Sequence, residues 1–240
     1  MNGLSFTNQV VLITGAGRGI GRALAVAFAA QGAIIAANDI NPLGVEETLA
    51  EIKALGGQAR EYIFDVAKRM PVQALFDQVL EDWGRVDVLV NNAAVEPVAT
   101  ILDMDEWDFH RTLDVNLAGS FFAIQHAARA MRAQGGGVII NIAAAEAYLA
   151  TRPNRAAYAA SKAGLEGLTR YAARELAPYH IRVLAVCPAA ADTDSLRLAK
   201  DYPALPLPPQ LLPLDKITET VLNLCESENT ATGEVIEILP

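Results

Sequence analysis

The chain has 240 residues, of which 52% are hydrophobic and 20% charged, so it has ample apolar material for a core and little resemblance to a disordered protein. Its formal net charge of −9, without any basic run, argues against nucleic acid or an anionic membrane as a partner. No apolar stretch approaches the roughly 18 residues of a membrane span, and the first residues lack a secretory signal, so we expect a cytoplasmic protein.

Short apolar runs alternate with amphipathic stretches along the chain. The apolar runs predict strands at residues 10–14, 33–39, 61–65, 86–93, 137–143, 181–188 and 235–239. The stretches between them predict helices at 20–31, 42–55, 72–83, 105–134 (one or two helices), 156–179 and 215–226. Strands without polar alternation are buried on both faces, so this order predicts an α/β fold: a single doubly wound domain over residues 1–240, with a seven-stranded parallel sheet and helices on both faces.

A proline-rich segment follows the sixth predicted strand. Residues 202–213 contain five prolines, which fix φ and disfavour a helix. Ligands of doubly wound folds bind beyond the carboxyl ends of the strands, where this segment is expected to lie. The segment is therefore either a stiff surface connection or part of a substrate lid at about residues 194–213.

A glycine-rich turn, TGAGRGIG, follows the first strand and opens the first helix. Gly15 allows a tight turn, Gly19 lets backbone N–H groups approach a pyrophosphate, and Gly21 permits close packing of the helix. The alternative is a turn of purely structural importance, but the strand–turn–helix context favours a dinucleotide site. The predicted phosphate loop comprises Gly15, Gly17, Arg18, Gly19, Ile20 and Gly21.

Two acidic residues end the second and third predicted strands. A carboxylate at Asp39 can accept hydrogen bonds from both ribose hydroxyls and would repel a 2′-phosphate, so we expect NAD rather than NADP. Arg18 weakens that preference because a guanidinium can pair with a phosphate. Asp65, with Val66 beside it, either receives a hydrogen bond from the adenine amino group or caps the next helix.

The sequence YAASK places Tyr158 and Lys162 four residues apart on one face of a helix. A phenol has a pKa of about 10, and a nearby ammonium favours the phenolate, as a general acid/base at neutral pH requires. On spacing alone, a surface pair is the simpler interpretation. Two distant cysteines and three scattered histidines form no cluster with metal-ligand spacing, so we expect no metal site.

These motifs occur together with NNAA at 91–94, DVNLAGSFF around Asn116 and CPAAADT at 187–193. In order and spacing the set resembles the short-chain dehydrogenase/reductase family of Rossmann-fold, NAD(P)-dependent oxidoreductases, over almost the whole chain. The resemblance implies that Tyr158 exchanges a proton with the substrate oxygen, that Lys162 holds the nicotinamide ribose and lowers the pKa of Tyr158, and that Asn116 anchors a water in a proton relay. It also implies cofactor contacts from Asn91, Ala93, Pro188, Ala191 and Thr193.

The chain departs from the family at one catalytic position. The family carries a serine just after the fifth strand, and here the stretch reads NIAAAEAY, which places Ala144 or Ala145 there, depending on the direction of counting. Loss of one hydrogen-bond donor to the reacting oxygen typically costs about 10²–10³ in rate. Glu146, Tyr148 or Thr151 offers a substitute polar group.

Three functions remain open from the sequence. The first is an NAD(H)-dependent oxidoreductase that transfers hydride between nicotinamide and a secondary alcohol or ketone, with weakened support for the oxyanion. The alternative is a dinucleotide-binding pseudoenzyme or regulatory subunit, and the third is dehydration or epimerisation on the same fold. The resemblance further implies a homodimer or homotetramer, assembled through the helices that contain residues 121–131 and 165–172.

Overall fold

The computed structural model describes residues 5–145, 153–191, 193 and 211–239. Within these residues, seven parallel strands form one sheet in the order β3-β2-β1-β4-β5-β6-β7. The second and third strands lie on one side of the first strand, and the fourth to seventh strands lie on its other side. The strands are β1 Val10–Thr14, β2 Ile34–Asp39, β3 Gln58–Ile63, β4 Val88–Asn91, β5 Gly137–Ile142, β6 Ile181–Pro188 and β7 Val235–Ile238.

Helices connect the strands, as the alternating pattern predicts. The order of the strands reverses between β1 and β4, and this switch point opens a crevice at the carboxyl ends of the strands, where doubly wound folds bind ligands. None of the described helices is long and apolar enough to cross a membrane. The α-helices are α1 Gly19–Ala30, α2 Pro42–Ala54, α3 Arg69–Trp83, α4 Glu106–Leu113, α5 Ser120–Gln134, α6 Ala156–Leu176 and α7 Leu214–Cys225.

Hydrophobic cores cover both faces of the sheet, and β1 shows why its sequence carries no polar alternation. Val11 and Ile13 join the core that contains Phe28 of α1. Val10 and Leu12 point the opposite way, into the core on the other face. Each residue of β1 is therefore buried, and the uninterrupted apolar run VVLIT follows directly from burial on both faces.

The third strand lies earlier in the chain than predicted. The prediction placed it at 61–65, whereas β3 pairs with β2 from Ile34 opposite Gln58 to Asp39 opposite Ile63. The strand is at the edge of the sheet and largely exposed, so it carries polar side chains and lacks the apolar run used to find strands. Asp65 consequently lies beyond the sheet, at the crevice.

The long helical stretch predicted at 105–134 is two α-helices joined by a π-helical turn, Asp114–Gly119. The turn places Asn116 in the interior, where the residue is fully buried. Single π-turns within helices often occur at functional sites because they redirect a side chain.

The lid predicted at about residues 194–213 lies outside the described residues except for 211–213. There Leu212 is fully buried and its N–H donates to the carbonyl oxygen of Ala190 at 2.8 Å. The end of the predicted lid is thus attached next to the carboxyl end of β6.

Candidate functional site

A cavity of about 850 Å³ lies at the carboxyl ends of the central strands. Four predicted site residues, Gly17, Gly21, Asn91 and Asn116, are not among the residues that line it. Of the two alanines at the predicted serine position, Ala144 lines the cavity and Ala145 does not. The predicted cofactor-binding and catalytic residues in the cavity wall are Gly15, Arg18, Gly19, Ile20, Asp39, Asp65, Val66, Ala93, Tyr158, Lys162, Pro188, Ala191 and Thr193.

The glycine-rich turn has a backbone conformation that residues other than glycine rarely adopt. Gly15 and Gly19 have φ values of 66° and 54°, in the left-handed region that favours glycine. A Cβ at Gly21 would lie 2.0 Å from the carbonyl oxygen of Gly15, so α1 packs directly on the turn. A Cβ at Gly19 would lie 3.4 Å from Cγ2 of Thr193, which places this threonine across from the turn.

Asn92, rather than Asn91, supports the glycine-rich turn. The Asn92 amide donates to the carbonyl oxygens of Thr14 and Gly15, both at 3.0 Å. The Asn91 amide points the other way and donates to Asn141 at 2.9 Å, in the buried interior. Neighbouring residues along a strand point to opposite sides, so the sequence predicts that only one asparagine of the NN pair faces the cavity. The sequence did not show which of the two it is.

Asp39 is held in place by two backbone N–H groups. The N–H of Gly17 donates to Oδ2 at 3.0 Å, and the N–H of Asn41 donates to Oδ1 at 3.1 Å. A Cβ at Gly17 would approach Oδ2 to 2.9 Å, which explains why a glycine stands at this position of the turn. The carboxylate is therefore fixed at the wall of the cavity, next to the turn.

Asp65 forms an ion pair that the sequence did not reveal. Arg111 of α4 donates to Oδ2 of Asp65 at 3.1 Å, and the N–H of Ala67 donates to Oδ1 at 3.0 Å. Burial alone would raise the pKa of Asp65, but the hydrogen bonds from Arg111 and Ala67 outweigh it and hold the pKa below its ordinary value. The Ala67 bond closes a local turn before α3 and caps no helix, since α3 has Lys68 at its N-cap without a side-chain cap, and the Asp65 side chain also faces the cavity.

Tyr158 and Lys162 lie on the face of α6 that meets the cavity. Nζ of Lys162 lies 5.6 Å from the centre of the Tyr158 ring and donates to the carbonyl oxygen of Ile142 at 2.6 Å. Lys162 is only 2% exposed, and its burial lowers its pKa to about 8. A half-buried phenol thus stands next to a buried amine, at the end of β5.

Asn116 connects the π-helical turn to this pair through hydrogen bonds. Its Oδ1 accepts from the N–H of Val95 at 2.8 Å, and its Nδ2 donates to the carbonyl oxygen of Val95 and to Oγ of Ser161, each at 3.0 Å. Ser161 in turn donates to the carbonyl oxygen of Tyr158 at 2.7 Å. The side chain therefore ties the segment after β4 to the first turns of α6.

The two alanines at the predicted serine position have different surroundings. Ala144 is 6% exposed and shares the cavity wall with Tyr158. Ala145 is fully buried, and its N–H donates to the carbonyl oxygen of Pro188 at 3.1 Å. The substitutes considered for the missing hydroxyl, Glu146, Tyr148 and Thr151, lie outside the described residues.

An ion pair that the sequence motifs did not include lies in the same wall as Tyr158. Arg155, at the start of α6, pairs with Glu96 from the segment after β4, and both side chains line the cavity. Arg155 precedes Tyr158 by three residues, and this spacing is a signal in the sequence that the two side chains are neighbours. Its partner is distant in the chain, however, and the sequence gives no sign of the pairing.

The cavity suits a dinucleotide in shape and in donor set. Turn glycines at its floor leave no room for side chains, and the turn leads into the N-terminus of α1, where phosphates bind well. The wall next to Asp39 also holds Asn38, whose buried Oδ1 accepts no hydrogen bond from the described residues. The residues that would hold the nucleotide are the turn, Asp39 and Asp65 at one end, and Tyr158, Lys162 and Thr193 at the other.

Comparisons with known proteins agree with this site. The sequence profile of the short chain dehydrogenases matches residues 9–202. An uncharacterized oxidoreductase of Thermotoga maritima is 39% identical, over 98% of this chain and 97% of the relative. A D-threitol dehydrogenase of Mycolicibacterium smegmatis is 38% identical over 81% of this chain and 75% of the relative.

Solved structures show the same architecture. The crystal structure of an NAD⁺-bound xylitol dehydrogenase superimposes with a TM-score of 0.89 at 30% identity, covering 97% of this chain and 98% of that chain. The profile match, the two relatives and the shared fold agree with the motifs of the glycine-rich turn and of α6. The chain belongs to the short-chain dehydrogenase/reductase family of oxidoreductases.

Proposed function

We propose that the protein is an NAD(H)-dependent oxidoreductase that transfers hydride between nicotinamide and the carbinol carbon of a secondary alcohol or the corresponding ketone. One observation carries the proposal: a single cavity joins the glycine-rich turn and Asp39 at one end to Tyr158 and Lys162 at the other. The polyol names of the threitol and xylitol dehydrogenases among its relatives agree with a secondary alcohol as substrate.

The surroundings of Asp39 support NAD over NADP. Two backbone N–H groups orient the carboxylate, so it cannot turn away without losing both hydrogen bonds. Next to a ribose 2′-phosphate it would place two negative groups together, whereas ribose hydroxyls would donate to it. Arg18 also lines the cavity, and it is the side chain that could offset this repulsion.

Nicotinamide supplies or accepts the hydride, and the chain's own residues move the proton. Tyr158 protonates the substrate oxygen during reduction and removes its proton during oxidation. The Lys162 amine lies close enough to the ring for its positive charge to favour the phenolate. Asn116 holds the segment after β4 against α6, and so keeps the cavity wall in place beside Tyr158.

The missing hydroxyl belongs at Ala144. Only this alanine of the two lines the cavity together with Tyr158, so a serine here would face the substrate oxygen. The chain therefore lacks one hydrogen-bond donor to the reacting oxygen, which lowers the rate but leaves the proton donor and the cofactor cavity intact. An intact proton donor beside an intact cofactor cavity favours a slow enzyme over a regulatory subunit without turnover.

We further propose a cytoplasmic homodimer or homotetramer built on α5 and α6. Phe121 and Tyr171 on these helices are 46% and 70% exposed, although both are large aromatic side chains. Phe121 also borders a shallow apolar depression with Leu117 and Leu168. Exposed aromatic residues beside an apolar depression are typical of interfaces between subunits.

The test is NADH-linked reduction of a panel of secondary ketones, followed by absorbance of the reduced cofactor. We expect turnover with NADH to exceed turnover with NADPH, and we expect Tyr158→Phe to abolish it. Binding of NADH is measured by fluorescence in parallel. Tight NADH binding without turnover of any ketone would support the regulatory alternative instead, and product formation without net oxidation of NADH would indicate dehydration or epimerisation.

A further inference from the structure

A buried guanidinium lies next to the proposed acid/base. The Arg155 side chain is 4% exposed, and its Nη1 pairs with the Glu96 carboxylate, which is 32% exposed. Within the described residues, Nε and Nη1 are both buried and neither forms a regular hydrogen bond, so the contact with Glu96 is an ion pair only. Burial lowers the pKa of Arg155, and the electrostatic interaction with the Tyr158 phenolate raises it, so the two groups lie close enough for their charges to interact. The arginine thus brings a buried donor to the catalytic end of the cavity.

The backbone holds this arginine in a defined place. Asn154 adopts a left-handed conformation with φ of 64°, and its carbonyl oxygen accepts from the N–H of Ala99 at 3.2 Å. This bond attaches the start of α6 to the segment that carries Glu96. Arg155 itself begins the helix, since its carbonyl oxygen accepts from the N–H of Ala159 at 2.8 Å. Both ends of the ion pair are therefore supported by main-chain contacts.

Arg155 is the N-cap residue of α6, and Tyr158 lies in the first turn of that helix. Residues three apart on a helix are neighbours, and both of these side chains line the cavity with Ala144. A substrate whose reacting oxygen meets Tyr158 therefore presents its adjacent atoms to Arg155. A guanidinium carries five N–H donors, and the ion pair with Glu96 involves only Nη1, so the group keeps donors for an acceptor oxygen on the substrate.

The charge of the pair indicates which kind of acceptor fits. Glu96 neutralises Arg155, so the pair has no net charge to attract an anion, and its carboxylate would repel a substrate carboxylate. A neutral hydroxyl or carbonyl oxygen avoids this repulsion and still accepts an N–H from the guanidinium. The geometry thus favours an uncharged substrate with a second oxygen next to the reacting carbon.

We propose that Arg155 is a specificity-determining residue whose guanidinium donates an N–H to a second oxygen on the carbon adjacent to the reacting carbon, so that the preferred substrates are vicinal diols and α-hydroxyketones. This inference rests on the proposed function. The reaction balances as NADH, a proton and the hydroxyketone giving NAD⁺ and the diol. Hydride reaches the carbonyl carbon, and the proton reaches its oxygen from Tyr158.

The test compares three four-carbon ketones as substrates for NADH-linked reduction: acetoin, butan-2-one and acetoacetate. On the carbon next to the carbonyl, acetoin carries a hydroxyl, butan-2-one carries only hydrogen and a methyl group, and acetoacetate carries a carboxylate. For the wild-type protein we expect kcat/KM for acetoin to exceed that for butan-2-one by about 10–100-fold, as loss of one hydrogen bond to a charged donor predicts. We expect acetoacetate to be the poorer substrate of the two functionalised ketones.

Variants then assign the preference to the arginine. In Arg155→Met combined with Glu96→Gln, which leaves no unpaired charge, we expect the ratio of acetoin to butan-2-one to fall to within about threefold of unity. Arg155→Lys keeps a charged donor and should recover part of the ratio. NADH binding by fluorescence verifies that each variant is folded.

The outcomes separate the inference from the proposed function. No turnover of any ketone by the wild type contradicts the proposed function and the inference with it. Turnover without a preference for acetoin, or with a preference for acetoacetate, contradicts the inference alone. A double variant that keeps the wild-type ratio contradicts the inference as well, and the wild-type comparison stands even if a variant fails to fold.

Discussion

Restoring a hydroxyl at Ala144 should accelerate the reaction. Ala144 is 6% exposed and shares the cavity wall with Tyr158, so a serine Oγ at this position can donate to the substrate oxygen. Donors of this kind typically contribute about 2.7–4 kcal/mol to the transition state, or about 10²–10³ in kcat. We therefore expect Ala144→Ser to raise kcat for ketone reduction by about that factor, with little change in NADH affinity.

The neighbouring alanine provides the matched control. Ala145 is fully buried and does not line the cavity. The hydroxyl of Ala145→Ser would enter the protein interior, where an unsatisfied polar group costs about 1–3 kcal/mol. In a domain of this size each kcal/mol lowers Tm by about 2–4 °C, so Ala145→Ser should lower the melting temperature without raising kcat.

The assay is steady-state kcat at saturating NADH and ketone, with Tm measured by differential scanning fluorimetry on the same samples. A rate increase in Ala145→Ser and none in Ala144→Ser would show that the wrong alanine has been assigned. An unchanged rate in both variants would refute the idea that a single missing donor limits the turnover.

Further predictions concern the buried amine, the glycine-rich turn and the cofactor preference. The pKa of Lys162 is about 8 in the folded protein and about 10.4 in the unfolded chain, so the unfolded chain binds more protons between these values and stability should rise with pH there, by up to about 3 kcal/mol. In urea titrations, the free energy of unfolding should be higher at pH 9.5 than at pH 7.5 in the wild type, and this difference should be smaller in Lys162→Met. Equal differences in the two proteins would contradict the burial of this amine. Gly21→Ala, whose Cβ would lie 2.5 Å from the Asn92 amide, should abolish NADH binding in a fluorescence titration, and retained binding would refute the described turn. Asp39→Ala should lower the ratio of the NADPH dissociation constant to the NADH dissociation constant by at least about tenfold. An unchanged ratio would rule out a ribose contact by this carboxylate.

Local motifs made the two ends of the site predictable. The glycine-rich turn is contiguous in the sequence, and its glycines are required by positive φ angles and by close backbone contacts. Tyr158 and Lys162 are four residues apart on one helix, so their shared face follows from helical geometry alone. Runs such as VVLIT predicted the central strands, because burial on both faces removes polar residues.

Contacts between distant segments were not predictable from the sequence. Arg111 pairs with Asp65 across 46 residues, and neither residue stands in a recognisable motif. Glu96 and Arg155 are brought together only by the packing of the segment after β4 against the start of α6. The edge strand β3 was placed too late in the chain, because its exposure removes the apolar signal.

The proposed function depends above all on hydride transfer in this cavity with Tyr158 as the proton donor. The most decisive experiment is a single turnover, in which the preformed complex of the protein and NADH is mixed with each ketone of the panel in turn and the loss of NADH absorbance is followed. We predict that NADH is oxidised in the wild type and that Tyr158→Phe binds NADH normally but reacts at least about 10²-fold more slowly, as loss of a general acid predicts. Equal rates in the two proteins would contradict the proposed function, and so would a wild-type complex that binds NADH and reacts with no ketone of the panel.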